Sequence, residues 1–261
     1  MKYFETIIMS AVSVATVTFT TATAQAQDDR SYFLIEQTQT HPTKTGDYMG
    51  AWKTIVEHAK IHDYKYTTYV SQSGPLVSTA TPLSSYADID ALMAERERIY
   101  GAAGKDFEKA IEDLNAATFH DMTLLVRHLP DISNPPSDED MANINMFELA
   151  TLQIHPGHGG KFVEIMGKYK DGLDKAGLLG STKYNVYAGG IGSGGAYYLQ
   201  SFGKDAVDLA QNDAKIDAMF ADNKSMQDLF GEYLMINRPG GYAAANKFKM
   251  VKDMAYFPDK E

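Results

Sequence analysis

The chain repeats itself. Tyr32 to Pro42 reads YFLIEQTQTHP and Met146 to Pro156 reads MFELATLQIHP, sharing Phe33/Phe147, Gln39/Gln153 and His41-Pro42/His155-Pro156 in one register. The segments that follow stay in phase without a gap. Tyr48, Trp52, Ile55, Ala59 and His62 stand opposite Phe162, Met166, Tyr169, Leu173 and Ala176, each set the apolar stripe of an amphipathic helix. After a four-residue adjustment, Lys65-Tyr66 and Tyr69 meet Lys183-Tyr184 and Tyr187. Phe107, Ala110, Ile111 and Leu114 then meet Met226, Leu229, Phe230 and Tyr233. Matched blocks in one order read as a tandem duplication. Such a chain builds the same unit twice and has to bury whatever one copy leaves open.

Alternation and β-branched or aromatic content place strands near 32–40, 64–72, 75–82 and 121–128. Helical periodicity places helices near 45–62, 86–100 and 106–118, the last after the breaker Gly101 to Gly104. The second unit repeats this with strands near 146–155, 182–188, 195–202 and 249–256, and helices near 159–176, 204–220 and 224–235. The order β-α-β-β-α-β is the ferredoxin-like split βαβ topology. Its antiparallel sheet carries helices on one face only, and the bare face must pack against something. With two copies present, the expected fold is α+β, with tandem ferredoxin-like units forming one barrel within the chain. The first unit spans 27–132 and the second 145–261, joined by the polar, Pro-broken linker 133–144. Asn237 to Tyr242 is read as an insertion before the last strand.

Residues 1–26 are read as a cleaved leader: Lys2, then an apolar, uncharged run from Ile7 to Phe19, then the small-x-small site Ala24-Gln25-Ala26. The mature chain is thus expected in a periplasm or outside the cell, with no integral membrane association. The composition supplies exclusions. With no cysteine among 261 residues, disulfide scaffolds, thiol nucleophiles and Cys-ligated metal centres are ruled out. A net charge of -10 without a Lys/Arg block argues against a nucleic-acid partner. The oligomeric state is left open.

Leu152-Gln-Ile-His-Pro-Gly-His-Gly-Gly-Lys-Phe-Val-Glu-Ile165 runs from strand through a Pro-Gly turn into a helix with an early aromatic. It resembles the opening of NIPSNAP-like and related domains of the dimeric α+β barrel superfamily. Arg127 to Ser133 is similar to the end of the last strand in such domains. The first unit departs from the pattern, having Pro42-Thr43 where Pro-Gly would stand. The resemblance implies a closed barrel whose interior holds a small molecule in some relatives. The superfamily includes cofactor-free monooxygenases, isomerases, haem-dependent chlorite dismutases and members without known activity, and no catalytic signature of theirs transfers to numbered positions here.

Phe33, Ile35, Gln37, Gln39 and His41 share one strand face, as do Phe147, Leu149, Thr151, Gln153 and His155. If that face lines the barrel, its polar end presents paired Gln and His, suited to orienting a small ligand or to acid–base work near neutral pH. Tyr66 and Tyr69 fall on opposite faces, as do Tyr184 and Tyr187, so one of each pair can face a cavity. The ligand-binding candidates are Gln39, His41, Gln153, His155, Tyr66 and Tyr184. His58 and His62 stand at i, i+4 and would hold a metal only with a third ligand from elsewhere, so no metal and no cofactor are assigned. Gly190 to Gly195 satisfies G-x-G-x-x-G, but a strand follows it, so it reads as a hairpin turn and not a dinucleotide site. The expected role is binding of a small apolar or aromatic molecule, with cofactor-independent catalysis as an extension. The alternatives are a packed, non-catalytic interaction module or a haem protein of the chlorite dismutase kind.

Overall fold

The computed structural model describes residues 31–242 and 245–258, so the expected leader lies outside the described residues. The first half runs β1 (Tyr32–Thr40), α1 (Thr45–Ile61), β2 (Tyr69–Ser73), β3 (Leu76–Leu83), α2 (Asp88–Ala103), α3 (Lys105–Ala117) and β4 (Thr118–His128). A short α4 (Asp138–Asn143) lies in the connection. The second half runs β5 (Met146–Ile154), α5 (Gly159–Lys175), β6 (Lys183–Gly189), β7 (Tyr197–Gly203), α6 (Ala206–Ala221), α7 (Lys224–Ile236), β8 (Asn237–Tyr242) and β9 (Asn246–Met250).

Strand alternation sorts every side chain to one of two sides. On β1, Leu34 is buried against Val56, Leu92, Ile99 and Phe107 of the helices, while Thr38 accepts a hydrogen bond from the Tyr48 hydroxyl on α1 at 3.3 Å. Phe33 and Ile35 point the other way, into a cluster with Leu124, Val126, Tyr187 and Tyr198. β5 behaves alike: Ala150, Leu152 and Ile154 pack on Phe162, Ile165 and Leu173 of α5, and Phe147 and Leu149 face inward.

The inward faces meet because the sheet closes. Its order is β7-β6-β4-β1-β3-β2-β9-β5, with β5 returning to pair with β7. Two seams join the halves: β4 with β6 at Val126↔Gly189 and His128↔Tyr187, and β2 with β9 at Ser71↔Met250. The result is a closed, eight-stranded antiparallel barrel with helices outside it, and closure leaves none of the eight an open edge. Strand senses alternate around an antiparallel circuit, so β1, β2, β5 and β6 run the same way along it. Gln39 and Gln153 therefore lie at one end. At the other end Phe147, Phe202 and Phe248 form a buried aromatic layer, with Phe147 and Phe248 stacked at 5.0 Å. Ile144 and Met141 of the linker segment cover that layer. A capping box between Ser137 and Asp140 starts α4 there.

Three boundaries differ from the sequence reading. The strand expected over 64–72 begins at Tyr69, and the one expected over 249–256 is β9, ending at Met250. The two differences share a cause. The C-terminal tail crosses onto the first half, where Thr68 bridges Tyr256, the Tyr256 hydroxyl donates to the Tyr64 carbonyl at 2.9 Å, and the Trp52 indole N–H donates to the Met254 carbonyl at 3.3 Å. Asn237 to Tyr242, expected as an insertion, is β8, which pairs with the end of β5.

Candidate functional site

The barrel interior is unevenly lined. Register places Ser71 and Ser73 of β2, and Ser78 and Ala80 of β3, on the inward face. Opposite them β6 and β7 present Asn185, Tyr187, Tyr198 and Gln200. Small side chains on one wall thus face large polar-aromatic ones on the other. Phe33, Ile35, Leu149, Asn185 and Gln200 are correspondingly only half-buried although strands enclose them. A few convergent polar groups in an apolar enclosure are the usual form of a small-molecule site.

The polar groups form one chain. The Tyr187 hydroxyl donates to Gln200 Oε1 at 2.9 Å and accepts from Asn185 Nδ2 at 3.0 Å. Phe33 meets the Tyr187 ring edge-on at 5.5 Å, and the His128 ring packs on it at 5.5 Å. Burial pushes the Tyr187 hydroxyl above the usual tyrosine range, so it stays neutral. Burial also lowers the His128 pKa below 6.5, and the nearby Asn185 amide offsets this only in part. The two lie close enough to interact but fall short of a well-formed hydrogen bond, and His128 Nε2 and Asn185 Oδ1 are both buried with no better partner.

The residues expected from sequence fall in three places. Gln39 and Gln153 lie on the inward face near one end of the barrel, Gln39 opposite Leu76 and His120, Gln153 between the outward-facing Leu152 and Ile154. His41 and His155 are past the strand ends and exposed; His41 meets Phe119 at 5.4 Å, and His155 meets His158 at 6.4 Å. These two belong to the rim and not to the lining. Tyr66 and Tyr184 correct the sequence reading more sharply, since both lie on the helix side of the sheet. Tyr184 is 1% exposed and packs on Tyr169 of α5 at 5.8 Å. Alternation assigns the inward positions to their companions Tyr69 and Tyr187. His128, Asn185 and Gln200 were not singled out; the available signal was the run Leu124, Val126, His128 on one face of β4. The His58 and His62 rings stack at 5.9 Å beside Phe107, and among the described residues no cluster of three potential metal ligands exists.

Two grooves lie outside the barrel, at matching places in the two halves. One of about 690 Å³ separates α1 from α3 and is lined by Lys44, Asp47, Lys109 and Asp113 among others. The other, about 630 Å³, separates α5 from α7 beside Lys168, Asp228 and Glu232. Their charges are largely matched, as in the Lys109–Asp113 pair at 2.7 Å and Lys168–Glu164 at 2.7 Å.

No protein-family model matches the chain, and no curated protein matches it in sequence. Solved structures do match in fold. An anthrone oxidase-like protein aligns over 86% of this chain and 92% of its own, at 12% identity and a TM-score of 0.55. A monooxygenase-type protein from Lactobacillus acidophilus aligns over 86% of this chain and 95% of its own, at 10% identity and a TM-score of 0.50. A chlorite dismutase from Candidatus Nitrospira defluvii reaches 0.49 at 6% identity, over 87% of this chain and 95% of its own. At such identities the likeness concerns fold alone. The likeness supports an α+β fold with a closed antiparallel barrel and helices outside it.

Proposed function

We propose that the protein binds a ring-sized apolar or aromatic molecule inside the barrel, and that the barrel is two ferredoxin-like units in tandem. The observation that carries the binding reading is the unequal lining: Ser71, Ser78 and Ala80 face Tyr187, Tyr198 and Gln200 across space that leaves Phe33, Ile35 and Leu149 half-buried. The two-unit reading is supported by the strand orders β4-β1-β3-β2 and β9-β5-β7-β6, which repeat one pattern. The NIPSNAP-like affinity rests on the segment Leu152 to Ile165. The named activities of the anthrone oxidase-like and monooxygenase-type structures favour a polycyclic or phenolic compound and, as an extension, oxidation without a cofactor.

Haem fits the second half poorly. The helices α5, α6 and α7 contain no histidine, and the layer between them and the sheet is filled by Phe162, Leu173, Tyr184 and Val186, each 0–1% exposed. Haem is given no part in this reading.

The test is occupancy. Anthrone added without oxygen should be retained by the native protein in native mass spectrometry. Ala80→Phe, which fills the open side of the barrel, should abolish retention with the melting temperature nearly unchanged. Equal retention by a folded Ala80→Phe variant would overturn the interior site.

A further inference from the structure

We infer that His128 and Asn185 form the polar anchor of the barrel interior, and that they take the hydroxyl of an uncharged ligand. This rests on the barrel interior being a binding site and adds which atoms recognise the ligand and what chemistry they select.

The hydrogen-bond chain fixes the direction of every group in it. Gln200 Oε1 can only accept, so the single Tyr187 proton points to it. Tyr187 then receives from Asn185 Nδ2, which turns Asn185 Oδ1 away as a pure acceptor. Only the His128 imidazole lies near enough to interact with it, and that contact falls short of a well-formed hydrogen bond. His128 stands diagonally across the β4–β6 seam from Asn185, on the same inward face, and its buried Nε2 has no better partner than this imperfect contact. A buried polar atom without a partner costs about 1–3 kcal/mol. Two poorly satisfied atoms close together on one inward wall offer a place that a single hydroxyl can bridge. One hydroxyl satisfies both, accepting from the imidazole N–H and donating to Asn185 Oδ1.

The surroundings select an uncharged ligand. The inward faces of β1, β3, β6 and β7 around this point carry Gln37, Ser78, Tyr187, Tyr198 and Gln200, with no carboxylate for a cation. The nearest inward-facing cation on β6 is Lys183, at the strand end, which is turned to Asp140 at 3.5 Å. An anionic headgroup at Asn185 would meet a carbonyl oxygen and an imidazole that burial keeps neutral. Phe33 and the Tyr187 ring supply flat apolar walls for the rest of the molecule.

Three probes of one shape separate these claims: naphthalene, 1-naphthol and 1-naphthoate, titrated by calorimetry into the full mature chain at neutral pH. We expect 1-naphthol to bind about tenfold tighter than naphthalene, the size of one well-made buried hydrogen bond, and 1-naphthoate to bind weaker than both. Asn185→Leu and His128→Phe should each bring the affinity ratio of 1-naphthol to naphthalene close to one. Far-ultraviolet circular dichroism and a cooperative melt report that each variant is folded. Equal affinity of 1-naphthol and naphthalene for the native protein would mean that water fills the gap, and would overturn the anchor alone. An advantage that survives in both variants overturns it too, because the hydroxyl is then held elsewhere, as does preferred binding of 1-naphthoate. If none of the probes binds, the interior binding reading falls along with the anchor.

Discussion

Glu36 is the residue whose fate the local sequence hides best. Alternation on β1 turns it toward the helices beside Leu34, where a carboxylate would be costly alone. Arg96 of α2 meets it with two parallel hydrogen bonds of 2.7 Å each, in the fork geometry of a guanidinium on a carboxylate. Burial alone would raise the Glu36 pKa, yet the Arg96 charge and hydrogen bonds outweigh burial and hold it below 4.5. A carboxylate with a lowered folded pKa contributes stability that is complete above the unfolded value and lost as pH falls through the folded one. Arg96→Met should destabilise by about 2 kcal/mol at pH 7, less than the 3–5 of a dry pair, because both side chains keep 33% exposure. Without Arg96, burial raises the Glu36 pKa, so the deficit should shrink as the pH falls and Glu36 of the variant takes up its proton before the native one does. Urea melts at pH 7 and pH 4 check this, and an equal deficit at both would show that charge is not the cause.

At the scale of elements, the turn from β6 to β7 shows how one motif reads two ways. Gly190 to Gly195 has dinucleotide spelling, but the strand after it makes it a hairpin, and the structure has it as the connection between those strands. What sequence did not show is that the turn also grips β4, through Leu125 N–H to the Ile191 carbonyl at 3.0 Å and Gly190 N–H to the Leu125 carbonyl at 2.8 Å. Gly192 sits at φ +81, and a Cβ there would lie 2.4 Å from the Thr123 carbonyl oxygen. Gly194, at φ +62, has open space around it. Gly192→Ala should therefore lose about 2 kcal/mol or more in denaturant melts, while Gly194→Asn should lose about 1 or less. Equal losses would mean that backbone conformation alone, and not contact with β4, limits the turn.

For the whole molecule, closure makes the halves interdependent. Each contributes strands to both seams, and the linker and the C-terminal tail cross between them. The protein should unfold as one unit. Trp52, the one tryptophan, lies in the first half against Met254, so its fluorescence reports on that half while far-ultraviolet circular dichroism reports on all helices. The two signals should give the same midpoint. Phe162→Ala, at a fully buried position of the second half, should lower the Trp52 midpoint by the equivalent of about 3–5 kcal/mol. A Trp52 transition that ignores this substitution would show two independent domains.

The sequence by itself determined most of the elements, though not β8 or α4, and the alternation of each strand's two faces, because periods of two and of 3.6 residues are written into local composition. For the same reason it put Phe33, Ile35 and Gln39 on one face of β1, and Phe147 and Gln153 on one face of β5; that this face turns inward is decided by the tertiary structure. It could not choose between Tyr66 and Tyr69, or between Tyr184 and Tyr187, since both members of each pair suit a buried site and the choice depends on strand register. Register, the two seams and the pairing of Glu36 with Arg96 join residues far apart in the chain, and only the tertiary structure fixes them. The placing of His128 beside Asn185, Tyr187 and Gln200 is of that kind: the last three share the β6–β7 hairpin of the second half, and His128 of the first half reaches them only across the β4–β6 seam.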